Sequence, residues 1–297
     1  MGLRSLLVCC GLLLSISFSV TAEEIPHRHR ILVAQYQGPG GNRLIEVSGE
    51  GKMTWEHKVP SACVIFQLLP NDHILYAYGG TPTGVQEIDR DQNVIWNYIS
   101  HSPQVLGCER LPNGNTLLGE QGPSQGVEVN PAGQIVLTVS IPNIEKAFHR
   151  QIRNIHRLDN GHILAAIEAE GAAREVDADG KVVWETTGLA DVFEALRLPN
   201  GNTLISCGTQ RRVIEVTPGG RIVWELTSQE VRELSLTWIT SLQILRNGNL
   251  VIGNFLRGQE GKGAHAFEIT REKKVVWKFA DHEMVKTATM VRILDDE

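Results

Sequence analysis

The densest concentration of groups able to do chemistry is the run His149-Arg150-Gln151-Ile152-Arg153-Asn154-Ile155-His156-Arg157. Two imidazoles and three guanidiniums on one extended segment can clamp a carboxylate, sulfate or phosphate through charge-assisted hydrogen bonds. His149 or His156 would then serve as acid, base or nucleophile beside Arg153. The competing reading is structural, a salt-bridged strand entrance that faces Glu109 and Glu194. Elsewhere the signals are weaker. His27-Arg28-His29 sits in an N-terminal stretch too frayed to hold a metal, and His101 and His282 lack a third ligand, so no metal site is expected. There is no phosphate loop and no Gly-x-Ser-x-Gly nucleophile elbow.

What positions these residues is a repeat. Glu46, Glu87, Glu128, Glu175, Glu215 and Glu268 lie 40 to 53 residues apart, and each stands nine residues before Trp55, Trp96, Leu137, Trp184, Trp224 or Trp277. A period of this size signals a propeller or solenoid. Between each Glu and its Trp lies a turn such as Pro218-Gly219-Gly220. Before it lies a first hairpin marked by Leu69-Pro70-Asn71-Asp72, Leu111-Pro112-Asn113-Gly114, Leu158-Asp159-Asn160-Gly161, Leu198-Pro199-Asn200-Gly201 or Leu245-Arg246-Asn247-Gly248. In the clearest copy Asn200-Gly201 is expected to supply the positive backbone angles of a tight turn.

There are five first hairpins for six second hairpins. The missing strand is at the far end: Thr287 to Asp296 reads as an innermost strand, and Arg30-Ile31-Leu32-Val33-Ala34 as the strand beside it. A C-terminal strand that completes an N-terminal sheet closes a ring without leaving an open edge. The chain is therefore expected to be all-β, a six-bladed β-propeller of four-stranded blades over 31–56 with 286–297, 61–98, 104–139, 150–186, 191–226 and 238–279. Each repeated Trp is expected to pack between blades as core, and each repeated Glu to make a structural hydrogen bond to a turn or a neighbouring blade.

Short turns on one face leave the variable links on the other, where function usually resides. The longest links, Ser140–Arg150, Thr227–Thr240 and Leu256–Ala264, put a ligand mouth on the side of blades four to six. Counting back three residues from the Pro199 position gives Gln67, Glu109, His156, Leu196, Gln243 and Arg292, and counting back five adds Asn154, Glu194 and Ser241. Position four back is apolar. Strand alternation thus implies a polar channel whose ligand-binding candidates are Gln67, Glu109, His149, Arg153, Asn154, His156, Glu194, Gln243 and Arg292.

The segment Glu175-Val176-Asp177-Ala178-Asp179-Gly180-Lys181-Val182-Val183-Trp184 resembles the repeat of pyrroloquinoline-quinone (PQQ)-like propellers. Pro131-Ala132-Gly133 and Pro218-Gly219-Gly220 in the same slot are similar to the secreted, six-bladed arylsulfotransferase-like propellers. The resemblance spans nearly the whole chain after residue 22 but rests on scaffold positions. A quinoprotein dehydrogenase would carry adjacent cysteines by its cofactor, and the single Cys-Cys pair is Cys9-Cys10. PQQ is therefore disfavoured, and no other cofactor is indicated. The arylsulfotransferase-like grouping implies His and Arg around the channel.

Residues 1–22 read as a signal peptide: Arg4, an apolar run from Leu6 to Val20, and small residues ending at Ala22. Export to the periplasm or the exterior is the expectation. Of the remaining cysteines, Cys63, Cys108 and Cys207 are no disulfide framework; a Cys63–Cys108 pair stays open against three small buried residues. The formal charge of −6 gives no reason to expect a nucleic-acid partner. The expected function is an exported, monomeric, non-catalytic propeller that binds a small anionic ligand, a glycan or an envelope protein through its loop face and channel. The alternative is a transferase or lyase using His149, His156 and Arg153.

Overall fold

The computed structural model describes residues 29–143 and 148–295. The proposed signal segment, with Cys9 and Cys10, and His27 and Arg28 lie outside the described residues. Twenty-four strands form six four-stranded antiparallel sheets. Blade one is β24 (Ala288–Ile293), β1 (Ile31–Gly38), β2 (Gly41–Val47) and β3 (Met53–Lys58); blade two is β4 (Cys63–Leu68), β5 (Ile74–Gly79), β6 (Thr83–Ile88) and β7 (Val94–Ile99). Blade three holds β8 (Gln104–Arg110), β9 (Thr116–Gln121), β10 (Gln125–Val129) and β11 (Ile135–Ser140), and blade four β12 (Asn154–Arg157), β13 (Ile163–Ile167), β14 (Ala172–Val176) and β15 (Val182–Thr186). Blade five holds β16 (Val192–Arg197), β17 (Thr203–Cys207), β18 (Arg212–Val216) and β19 (Ile222–Thr227), and blade six β20 (Ile239–Ile244), β21 (Leu250–Asn254), β22 (Ala266–Ile269) and β23 (Val275–Phe279). The ring closes as the sequence implies, with Val33 paired to Val291 and Ile31 to Ile293.

The apolar core is divided into six clusters, each seated between adjacent sheets. Leu32, Leu44, Phe66 and Tyr76 fill the junction of blades one and two, and Ile31, Ile45, Trp277 and Ile293 that of blades six and one. The second and third strands of each blade are buried on both faces, whereas an outermost strand such as β7 alternates exposed and half-buried residues. The sheet therefore grows wetter from axis to rim, which is why the hydrophobic alternation is cleanest in the last strand of each repeat.

The hairpin turns differ from the expected form. Gly201 takes φ 84° but Asn200 has no positive φ, and Gly201 N–H donates to the Leu198 carbonyl. This is a type I turn followed by one left-handed residue. Such a turn accepts Pro199 at its second position and needs glycine only at the last. The Asn200 side chain instead accepts from Asn202 N–H at 3.0 Å, closing the loop from within.

The repeated Glu ties each blade to the next. Glu128 accepts from Asn115 at 2.5 Å in its own turn and from Arg157 of blade four at 2.7 Å. Glu175 meets His162 at 2.7 Å and Arg197 of blade five at 2.6 Å. Glu268 meets Asn249 at 2.5 Å and His29 at 2.9 Å, the latter across the closure. His29 is also 3.0 Å from Asp295, so it serves the ring. The repeated Trp bridges blades by its indole N–H, as Trp55 to the Arg90 carbonyl and Trp184 to the Pro218 carbonyl. All of them pack at blade junctions, but Trp277 alone is fully buried; the others sit half-exposed near the rim under an arginine, as Arg197 over Trp184. Cys63, Cys108 and Cys207 are free and buried, with no Cys63–Cys108 bond. Burial pushes their thiols up, Cys207 to about 12, so they pack as small inert residues.

Candidate functional site

Each blade's inner strand runs along the axis from the variable-link face to the short-turn face, and in five of the six blades it changes parity on the way; β12 of blade four, Asn154–Arg157, pairs without a shift. A bulge falls between Cys63 and Phe66 in β4, Val105 and Cys108 in β8, Val192 and Ala195 in β16, Ile239 and Leu242 in β20, and Met290 and Ala288 in β24. One extra residue turns the alternation over. Below the bulge, side chains three residues before the turn face the axis; above it, those six residues before the turn do. The second set is Val64, Leu106, Arg153, Phe193, Thr240 and Thr289, and all six line one cavity of about 490 Å³ at the mouth of the propeller. The positions five residues back fall within or beside the bulge and are buried in the wall: Asn154 and Ser241 are 1% exposed and Glu194 is 0% exposed.

His149 and Arg153 are thus the two members of the sequence-derived candidate set that line this cavity. His149 is the middle residue of a short 3-10 turn, Phe148–Arg150, and its Nδ1 lies 2.8 Å from Gln104 Oε1. Gln104 Nε2 donates to the Gly79 carbonyl at 3.0 Å, so its oxygen is the atom turned toward the imidazole. Nδ1 therefore carries the proton, and Nε2, 3.4 Å from an Arg153 NH2, carries the lone pair. Burial, then the charges of Arg153 and Arg150, hold the His149 pKa below its ordinary value. It is a neutral imidazole at neutral pH. Arg153 pairs with buried Glu168 through Nε and lies 5.6 Å over the Phe193 ring. Burial and the neighbouring Arg150 lower its pKa to about 10, which leaves it protonated. Arg150 bridges Glu168 and Asp191, outside the cavity.

His156 belongs to a different site. Its Nε2 is 2.9 Å from Glu194 and its Nδ1 3.7 Å from Glu109, while Asn154 Nδ2 donates to Glu194 at 2.6 Å. Burial disfavours its charge, but hydrogen bonds to Glu109 and Glu194 prevail and raise its pKa to about 10. It is an imidazolium held between two blades. The remaining candidates staple neighbouring inner strands by their backbones. Gln67 Oε1 accepts from Arg110 N–H at 2.7 Å, Glu109 from Arg157 N–H at 2.7 Å, and Gln243 exchanges two bonds with Ile293. Arg292 donates to the Leu242 carbonyl at 2.7 Å. Their recurrence at one repeat position is the mark of scaffold, and His149, Arg153 and His156 do not gather with Glu109 or Arg292 around a single pocket.

Sequence reasoning did not single out the rest of the mouth: Tyr36, Trp238, Phe255, Arg257, Glu260 and Lys286. Trp238, Arg257 and Glu260 lie in the long variable links Thr227–Thr240 and Leu256–Ala264. Trp238 carried a usable signal, being the one Trp of six outside the repeated slot. Arg257 lies 5.6 Å over Trp238, and Tyr36 packs against Phe255 at 5.9 Å. Neither Arg257 nor Lys286 forms an ion pair among the described residues. No cluster of three metal-ligating side chains occurs among the described residues either.

The same architecture recurs in known proteins. No protein-family model matches the chain, and no curated protein matches it by sequence. Among solved structures, a protein of unknown function from Bacteroides caccae superposes with a TM-score of 0.79 at 24% identity over 89% of this chain and 98% of that one. A streptogramin B lyase gives 0.61 at 12% identity over 88% and 86%, and the WD40 β-propeller domain of Doa1 gives 0.56 at 15% over 71% and 68%. The likeness is one of fold. A shared fold does not carry a shared function, and the chemistry of this propeller lies in its own mouth.

Beside that mouth lies a pair of imidazoles absent from the sequence-derived set. His265 is fully buried against Phe279 and 4.7 Å from the ring of His282, whose Nε2 donates to the Gly263 carbonyl. Neither His265 ring nitrogen reaches full hydrogen-bond geometry. Burial, then the neighbouring His282, lower its pKa to about 4, and the nearby backbone of Val285 and Lys286 offsets only part of that. Between about pH 6.5 and 4 the unfolded chain binds a proton here that the folded chain refuses, so stability falls on acidification, by about 3 kcal/mol in full. His156 has the opposite sign and loses its contribution only as pH rises toward about 10. Urea midpoints measured from pH 7.5 to 4 should fall steeply in the native chain and less in His265→Phe. Equal slopes for the two would rule out His265 as the source.

Proposed function

We propose that the chain is an exported, non-catalytic β-propeller that binds a small organic anion with a flat ring face in the mouth of its central channel. The observation that supports this is the composition of the cavity. Arg257 and Lys286 bring charge that no ion pair among the described residues consumes, Glu260 opposes one of them, and Phe193, Trp238, Tyr36 and Phe255 supply flat apolar surface. This positive mouth sits on a chain of formal charge −6, so it is a local feature. Its volume falls in the range of small-ligand sites, and a concave mouth suits a small molecule better than a protein face. Arginine and an aromatic plane together select a planar or ring-bearing anion over a compact hydrated one.

The enzymatic reading retains one specific support, the neutral His149 whose Nε2 lone pair faces the cavity beside Arg153. Calorimetric titration with aromatic carboxylates and aryl sulfates tests both readings. The binding reading expects saturable binding that weakens with salt and falls about tenfold or more in Arg257→Ala/Lys286→Ala, with the melting temperature near native. Uncharged analogues that bind equally well would refute it. Product formation that disappears in His149→Ala would replace it with the enzymatic one.

A further inference from the structure

Resting on that reading, we infer that the natural ligand is an acidic oligosaccharide, a chain of hexuronate units at least two long, which runs from the mouth cavity into a second subsite. A second cavity of about 450 Å³ lies beside the first, and the two share Arg257. Its wall carries Arg211, Thr209, Ser235, Thr237 and Gln259. Arg211 closes the β17–β18 link, directly before β18, with φ 54°, and like Arg257 it has no carboxylate partner among the described residues. Two guanidiniums without a carboxylate partner among the described residues, one at the junction and one beyond it, suit a ligand with carboxylates repeated along its length.

The uncharged lining narrows the class. A sugar hydroxyl both donates and accepts, so it is best met by groups that do the same, hydroxyls and amides. Both cavities carry such groups beside their charged residues: Thr240, Thr287, Thr289, Gln37 and Gln104 in the first, and Thr209, Ser235, Thr237 and Gln259 in the second. The aromatic rings then serve as platforms for the apolar faces of pyranoses.

The test uses the intact chain and calorimetry with galacturonate monomer, dimer and tetramer, mannuronate tetramer, and a neutral maltotetraose control. The inference expects at least one uronate tetramer to bind tenfold or more tighter than its monomer, and maltotetraose to bind far more weakly. Arg211→Ala should bring the tetramer down to the monomer's affinity while leaving the monomer unchanged. Arg257→Ala should weaken both. Equal affinity for monomer and tetramer, or an Arg211→Ala variant that binds the tetramer as the native chain does, overturns the second subsite. Binding of aromatic anions but of no uronate overturns the sugar assignment and leaves the anion reading standing. Binding of neither removes both.

Discussion

A chain ending at residue 285 is expected to lose cooperative folding altogether. It would lack β24, and with it the inward partner of β1 along Ile31, Val33 and Ala34. Met290, Val291 and Ile293 are at most 1% exposed and Leu294 is 7% exposed. Each such side chain contributes about 1.5–3 kcal/mol on burial, so together they rival the ~5–15 kcal/mol that holds a typical domain. Truncation would also bare the inner edge of blade one, an unpaired strand open to pairing with another chain. The damage would not stay local, because the cluster at this junction also holds Val251, Trp277 and Phe279 of blade six. Differential scanning calorimetry should show no sharp transition in the shortened chain, and size-exclusion chromatography should show aggregates. A shortened chain that melts like the full one would mean that the ring does not depend on its closing strand.

Trp277→Ala should cost about 3–5 kcal/mol, well above any other of the repeated tryptophans. Trp277 is 1% exposed at the blade six to blade one junction and meets the edge of the His29 ring at 5.3 Å. Removing it leaves a cavity beside the closing strand. Trp55, Trp96, Trp184 and Trp224 face partial solvent, which can fill the space they vacate, so their replacement should cost less. The indole N–H separates the cases further. Trp277 Nε1 has no hydrogen-bond partner, whereas Trp224 Nε1 donates to the Arg271 carbonyl at 2.8 Å. Replacement by Phe should therefore be tolerated at 277 for the hydrogen bond, at the cost of lost volume alone, and at 224 should lose the bond as well. Urea midpoints of the four variants decide this; a Trp277→Ala loss no larger than that of Trp224→Ala would contradict the junction's role.

The two imidazoles that looked alike in the run from His149 to Arg157 illustrate how environment assigns chemistry. His149 is neutral because burial and two arginines oppose its charge, and His156 is charged because two carboxylates outweigh its burial. They lie on one segment seven residues apart in sequence, yet one opens to the mouth and the other binds blades together. The same run donates Arg157 to the repeated Glu128 and Arg150 to Glu168 and Asp191. What reads as a single cationic cluster is divided among four separate attachments.

The sequence by itself determined the repeat, the number of blades, the hairpin positions and the closure. Each of these rests on spacing within a blade: a Glu nine residues before its Trp, an Asn-Gly turn between apolar runs, a strand left over at each end. Nearest-neighbour packing writes such features directly into the chain. The role of the repeated Glu was legible for the same reason, since six copies of one contact leave six copies of its residue. Only the tertiary structure decided which polar residues face a ligand. Period-two counting from the turn carries Gln67, Glu109 and Gln243 to the axis but fails one step further along, because a bulge in the inner strand inserts a residue and brings Val64, Phe193 and Thr240 inward instead. A bulge is set by how closely inner strands crowd at the axis: at Gly107 an added Cβ would lie 2.9 Å from Asn154 Cα of the next blade. That crowding is a contact between strands far apart in the chain, and no local spacing records it.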